Sequence, residues 1–513
     1  MRGFLVSSVG ATCAAALALP LALPAPAHAG QPVLTSEPAA PGSTQSLPLT
    51  PLDDERDLGP AASEQGLTPR NVRPFSLVGV IWDNPDRELH GRVQVRTRAV
   101  GTGHWSGWQD VETHNHEHAA DPDTAEGASR RVHGSTAPLW VGNSDGVEVR
   151  VQAEKPEGDE RATAPGDSPL PRGLHLELVD PGAELPREGA QTGGAREGAP
   201  VADPAPVTHV GALTAVASTA ASTAVASAGA LAAVASAGDL TADASVHAPH
   251  AGAPMDDTDA PAVAPSAKDA AASSANAELA PLGAGEEIPA LSQQETEREF
   301  VAANGGDERV KPYIGPRPRI ITRRGWGANE SLRERGFVYT KKVKAAFVHH
   351  TASGNNYSCS QAPSVIRSIY RYHVVSSGWR DIGYNFLVDK CGNIYEGRAG
   401  GVTKPVMGAH TLGFNSNSMG IAVLGSFAKT KPSGAAVTAI ARLTAWKLGL
   451  YGANPRGKTY LKSGGGNLYR KGKNVRLNVI SGHRDGFATE CPGRLLYGKL
   501  GTARQAAARY QGR

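Results

Sequence analysis

The sequence predicts two folded regions of different class. One is a small all-β domain near the N-terminus; the other is an α/β domain with a mixed central β-sheet flanked by helices. A long disordered linker joins them. Three observations carry this. Residues 70–182 alternate apolar or β-branched residues with polar ones, the period of half-buried strands. Residues 311–513 mix short apolar runs with segments of helical spacing. Residues 183–310 are dominated by Ala, Pro, Gly, Ser and Thr, and such a stretch buries too little apolar surface to offset chain entropy.

Taken in chain order, residues 1–29 have the pattern of a secretory signal peptide. Arg2 provides a basic start, an apolar stretch follows, and Ala27-His28-Ala29 forms an A-x-A cleavage site. Pro20, Pro24 and Pro26 break the run and argue against an uncleaved anchor. Residues 30–69, rich in Pro, Ser and Thr, are expected to be a flexible leader. In 70–182, strands are predicted around Val93–Ala99, Gly146–Ala153 and Leu174–Leu178, with Trp105, Trp108 and Trp140 as core mass. A polar loop near 113–134 holds His114, His116 and His118. A metal-binding tract and a solvated loop are both open readings; acidic neighbours and the lack of a cysteine favour the solvated loop. In the linker, Val210–Gly238 runs 29 residues without a charge, long enough for a membrane span but too weakly apolar to favour one. As a coil the linker would span roughly 60 Å.

In 311–513, Val343–His350 is expected to be a buried strand and Pro363–Val375 a helix. Gly383–Asp389 and Gly392–Gly397 form a hairpin pattern with its turn at Asp389–Gly392. Gly420–Gly425 is predicted as a central strand and Ala435–Leu450 as a second helix.

The net charge of +3 conceals a segregation. Residues 311–513 carry 33 Lys and Arg against 7 Asp and Glu, while the remainder carries 19 against 42. A module this basic implies an anionic partner, and for an exported protein an anionic cell envelope fits better than nucleic acid. With the signal peptide removed, three cysteines remain. The economical assignment is a Cys359–Cys391 disulfide, with Cys491 as a metal thiolate.

Cys491 lies in a Gly/Pro-punctuated loop with His483, in Ile480-Ser-Gly-His483-Arg-Asp485-Gly-Phe-Ala-Thr489-Glu-Cys491-Pro-Gly. A further imidazole is available in Phe347-Val-His349-His350-Thr. Two imidazoles and a thiolate suit Zn2+, and three protein ligands leave a fourth tetrahedral position open, as in hydrolytic sites. Adjacent strand residues point to opposite faces, so one of His349 and His350 faces such a metal. A His-Glu-x-x-His helix, the mark of a zinc endopeptidase, is missing.

Six blocks occur in order: Ile320-Ile-Thr-Arg-Arg-Gly-Trp-Gly-Ala328, Phe347-Val-His-His-Thr, Arg380-Asp-Ile-Gly-Tyr-Asn-Phe, Tyr395-Glu-Gly-Arg398, Gly408-Ala-His-Thr-Leu-Gly-Phe-Asn415 and Gly482-His-Arg-Asp with Cys491-Pro-Gly. Over about 312–500 the chain resembles the peptidoglycan recognition protein and type 2 N-acetylmuramoyl-L-alanine amidase family. The 70–182 region resembles the N-terminal module of actinobacterial members. The resemblance implies zinc ligands His349, His483 and Cys491, which leaves His350 to the core or to support of the site. It implies catalytic assistance from Tyr384, whose phenol orients water or donates to an oxyanion. At a second catalytic position, where phage-type relatives have lysine, this chain has Thr489, which offers only a hydroxyl. His410, Asn415 and Arg398 fall where the family lines its groove; Arg398 fits a buried structural role equally well. The implied function is a secreted, wall-associated zinc amidase cutting between N-acetylmuramic acid and L-Ala. The alternative is a peptidoglycan receptor or adhesin, since relatives that lack the zinc cysteine bind without cutting. The expected partners are peptidoglycan and anionic wall polymers, with no nucleic acid, no stable membrane insertion and a monomeric state.

Overall fold

A computed structural model of the chain describes residues 42–52, 63–154, 169–183, 266–279, 285–305 and 312–513. The expected signal peptide and the Val210–Gly238 run lie outside these residues. No helix among the described residues is long and apolar enough to cross a membrane.

The N-terminal domain is built on one antiparallel sheet. Its main path runs Ser43–Pro48, His175–Asp180, Glu64–Trp82, Leu139–Ala153, Gly91–Ala99 and Gln109–Val111. Alternation sets the inward face: Val93, Val95, Val147, Val149, Val151, Leu176 and Leu178 are all buried in one cluster. The strands begin well before residue 70. Ser43–Pro48 pairs along its whole length with His175–Asp180, and Glu64–Trp82 is a single 19-residue strand. The leader expected over 30–69 is therefore partly sheet. Pro and Ser do not prevent this at Ser43–Pro48, which occupies the sheet edge, where proline is tolerated.

The C-terminal domain holds a seven-stranded mixed sheet in the order Ile480–Gly482, Ala345–His350, Ser418–Val423, Phe386–Val388, Ile394–Glu396, Ile320–Ile321 and Glu287–Ile288. The central Ser418–Val423 strand is parallel to both neighbours and wholly buried, as an apolar run of that kind predicts. The predicted hairpin is present. The buried Asp389 carboxylate accepts from the Cys391 and Asn393 amides at 2.9 Å each and from the Tyr395 hydroxyl at 2.8 Å, which fixes the turn. The Cys359–Cys391 disulfide ties this turn to the start of the Ala362–Arg371 helix. That helix ends in a π-helical turn over Tyr372–Ser376, and the second helix spans Gly434–Gly449.

The linker expectation fails for its C-terminal part. Ala267–Ser274 and Gln293–Asn304 are helices, each started by a capping box, Ser266 with Asp269 and Ser292 with Glu295. Glu287–Ile288 adds an edge strand to the C-terminal sheet. Leu279 and Ile288 join the core of that domain, and Asn276 donates to the Glu396 carboxylate at 2.9 and 3.0 Å. Composition averaged over the segment hid these few anchors.

The two domains share an apolar cluster in which Leu77, Trp140 and Val179 meet Ile366, Ile369 and Tyr372. The Tyr372 hydroxyl donates to the Thr136 carbonyl at 3.1 Å, and the Ser376 hydroxyl to the Glu177 carboxylate at 2.8 Å. Leu77 and Tyr372 are fully buried, so this is a desolvated docking surface.

Candidate metal centre

Parallel pairing brings the first two ligand candidates together. Val348 is in register with Gly482, so His349 lies beside His483, the first residue after the neighbouring strand. Their ring centroids are 4.5 Å apart. Cys491 returns from the following loop with its Sγ 3.8 Å from His349 Nδ1. His350 points the other way: its Nδ1 accepts from the Phe427 amide at 3.4 Å. The alternation argument thus separates the two histidines, and His349 is the one that faces the cluster.

A fourth donor is present that the sequence reading assigned to a solvated loop. His118, from the 113–134 segment of the N-terminal domain, is 5 % exposed. Its Nε2 lies 3.7 Å from Cys491 Sγ, and its ring centroid is 4.6 Å from that of His483. Ligand atoms of His118, His349, His483 and Cys491 all lie within 4.8 Å of one another. A tetrahedral zinc site with Zn–N of about 2.0–2.1 Å and Zn–S of about 2.3 Å has N···S edges of about 3.6 Å. The two N···S distances here match that edge closely. Both ring nitrogens of His483 and Nδ1 of His118 are buried without a hydrogen-bond partner among the described residues. Burial lowers the pKa of His349, His483 and His118 and so favours the neutral imidazoles that metals bind; it pushes the Cys491 thiol up, and a cation in the cluster would offset that. The donor set fits zinc.

Around the cluster, Tyr384 is 4 % exposed, with its ring 5.6 Å from that of His349 and 5.8 Å from that of His118. Burial raises its pKa well above the ordinary value, so its hydroxyl stays protonated and able to donate. His410 does not line a groove in this arrangement. It is fully buried behind His349, with ring centroids 5.2 Å apart, and its Nδ1 lies 3.0 Å from the Thr411 hydroxyl. Thr411 Oγ1 in turn lies 3.5 Å from His349 Nε2, so the pair buttresses that imidazole.

The remaining three candidates are taken up by the 113–134 loop. Thr489 donates to the Glu117 carboxylate at 2.7 Å while accepting from the Cys491 amide at 3.0 Å. Asn415 donates to Asp121 at 2.8 Å and to the Ala119 carbonyl at 3.0 Å. Arg398 makes two 2.8 Å bonds to Glu126, whose carboxylate also accepts from the Arg380 amide at 3.1 Å. A cavity of about 450 Å3 beside the loop is lined by Glu117, Phe487 and Thr489, yet by none of the four metal-ligand candidates, because the loop lies between. Sequence reasoning missed Glu117, Asp121 and Glu126, and it favoured a solvated loop over a metal-binding tract for His118. The available signal was the His-x-His-x-His tract itself, with acids interleaved and following.

Fold and site together define an α/β domain with a buried His/Cys cluster, a candidate metal centre, at the edge of a mixed sheet, together with a β-domain. Residues 339–494 match the N-acetylmuramoyl-L-alanine amidase family, and residues 27–169 match the Rv3811 N-terminal galactose-binding domain-like family. Peptidoglycan-recognition protein SC2 of Drosophila melanogaster is 31% identical over 185 residues, which covers 36% of this chain and 85% of that protein. Human N-acetylmuramoyl-L-alanine amidase is 30% identical over 218 residues, covering 42% of this chain and 33% of that protein. Among solved structures, peptidoglycan recognition protein-LE in complex with tracheal cytotoxin aligns at 33% identity over 36% of this chain and 92% of that one, with a TM-score of 0.28. This chain belongs to the peptidoglycan-recognition protein and N-acetylmuramoyl-L-alanine amidase family.

Proposed function

We propose that the chain is a zinc-dependent N-acetylmuramoyl-L-alanine amidase that is exported and acts at the cell wall. The observation that carries the reading is Cys491, seated beside His349 and His483 where a ligand set requires it. His349, His483 and Cys491 would hold the zinc ion. Zinc, when bound, supplies Lewis acidity toward the scissile carbonyl and lowers the pKa of a bound water. The chain's own groups do the rest. Tyr384 keeps its proton and donates toward the oxygen on which charge develops. Thr489 offers one hydroxyl in place of a cationic side chain. Thr411 and His410 hold His349 in orientation. The excess of positive charge in 311–513 supports attachment to anionic wall polymers.

The test is release of free stem peptides from purified peptidoglycan by the zinc-loaded full chain, with products weighed by mass spectrometry. Peptides that begin at L-Ala, lost in Cys491→Ser, are the expected result. Release undiminished in Cys491→Ser would establish a different chemistry, and binding of walls without release by any form of the chain, His118→Gln included, would establish the receptor reading.

A further inference from the structure

We propose that His118 is a fourth protein ligand of the metal and that the 113–134 loop of the N-terminal domain holds the site closed against substrate. The proposal rests on the zinc reading above and adds what that reading lacks: a state in which the site is shut by the chain itself.

Two independent observations carry it. The first is the donor geometry. His118 Nε2 stands as close to Cys491 Sγ as His349 Nδ1 does, 3.7 against 3.8 Å, and the His118 ring meets both His349 and His483. A site with four protein donors is the closed kind, whereas hydrolytic sites keep one position for water or substrate. His118 stands in that position.

The second is how the rest of the loop is spent. Glu117 binds Thr489, Asp121 binds Asn415 and the Gly413 amide, and Glu126 binds Arg398 and the Arg380 amide. These three carboxylates are at most 8 % exposed. Three of the polar residues that the sequence placed at catalysis or in the groove are therefore occupied by one continuous segment. One segment thus engages Thr489, Asn415 and Arg398 and also reaches the His/Cys cluster. Because the loop is anchored at both ends on a docked domain, it competes with substrate at the effective concentration of an intramolecular ligand. Substrate reaches the site only in the fraction of molecules whose loop has withdrawn, so the apparent activity is scaled by that fraction.

The experiment loads full-length wild type, His118→Gln and Cys491→Ser with Co2+ in place of zinc. It records the visible spectrum with and without azide, and in parallel measures stem-peptide release by the zinc forms. Glutamine keeps the polarity and approximate size of histidine, so the domain stays folded while the loop loses its hold on the metal and withdraws more readily. A wild-type spectrum indifferent to azide and a responsive His118→Gln spectrum are expected. Release should rise about tenfold or more in His118→Gln, the reciprocal of an open population of at most about 10%. A second variant away from the metal, Glu126→Gln, should move release in the same direction with metal content unchanged. A wild-type spectrum as responsive to azide as that of His118→Gln overturns the fourth ligand while leaving the zinc reading intact. A thiolate-to-cobalt band that persists in Cys491→Ser overturns the zinc reading itself. An azide-indifferent wild type with no release from any variant supports the fourth ligand and assigns the chain to the receptors.

Discussion

Tyr384 and Thr489 stand at the same cluster but contribute differently. The buried Tyr384 phenol remains a proton donor across the physiological range. Its removal in Tyr384→Phe should lower kcat by about 10²–10³-fold, the cost of losing one preorganised oxyanion donor. Zinc content should be unchanged, which metal analysis checks; the rate is best measured with His118→Gln also present. Thr489 is tied to Glu117 and to the Cys491 amide, so its hydroxyl becomes free to donate elsewhere only when Glu117 leaves. Glu126 has a second consequence. Burial alone would raise its pKa, yet the Arg398 charge and hydrogen bonds more than offset this, and the net shift is below the ordinary 4.5. A carboxyl depressed in the folded state contributes stability that is present above its unfolded pKa and lost as pH falls through the folded value. Urea unfolding midpoints should therefore fall between pH 7 and pH 3 by more in wild type than in Glu126→Gln.

At the scale of elements, the π-helical turn Tyr372–Ser376 and the Glu64–Trp82 strand make the docking surface. A Cβ added at Gly79 would lie 2.4 Å from the Tyr372 hydroxyl oxygen, which is buried and cannot swing aside. Gly79→Ala should loosen the docking while leaving both cores folded. It is expected to raise amide exchange across 113–134 and to increase hydrolysis, readable by hydrogen exchange and by peptide release. The disulfide acts on another element. It closes a 32-residue separation between the helix start and the hairpin turn. Opening a loop of that length should cost about 3–4 kcal/mol, measured as a lower unfolding midpoint after reduction.

Across the whole molecule, ion pairs join the N-terminal domain to the basic C-terminal domain. Glu126–Arg398 and Asp123–Lys471 cross between them, the first buried and the second exposed. Salt acts on these unequally, since exposed charges are screened over about 10 Å at 0.1 M and about 3 Å at 1 M while buried pairs are screened far less. Retention on purified walls should therefore fall steeply between low and high salt, as sedimentation assays would show, while the loop stays docked. An arrangement in which salt released the loop first would show hydrolysis rising as wall binding fell.

Much of this was legible in the chain. Alternation marked the strands of the N-terminal domain, apolar runs marked the C-terminal sheet, and His349, His483 and Cys491 stood in recognisable blocks. Those signals are local, written in the spacing of residues a few positions apart. The capping boxes at Ser266 and Ser292 were equally local, but the average composition of the linker obscured them. What only the tertiary structure decided is the fate of the 113–134 loop. His118 and Cys491 are 373 positions apart, and no periodicity or composition reports a contact across that distance. An interleaved run of His and Glu has the same local pattern whether water or a buried His/Cys cluster receives it. The docking of Leu77, Trp140 and Tyr372 selects the second, because it fixes the domain that carries the loop against the domain that carries the site.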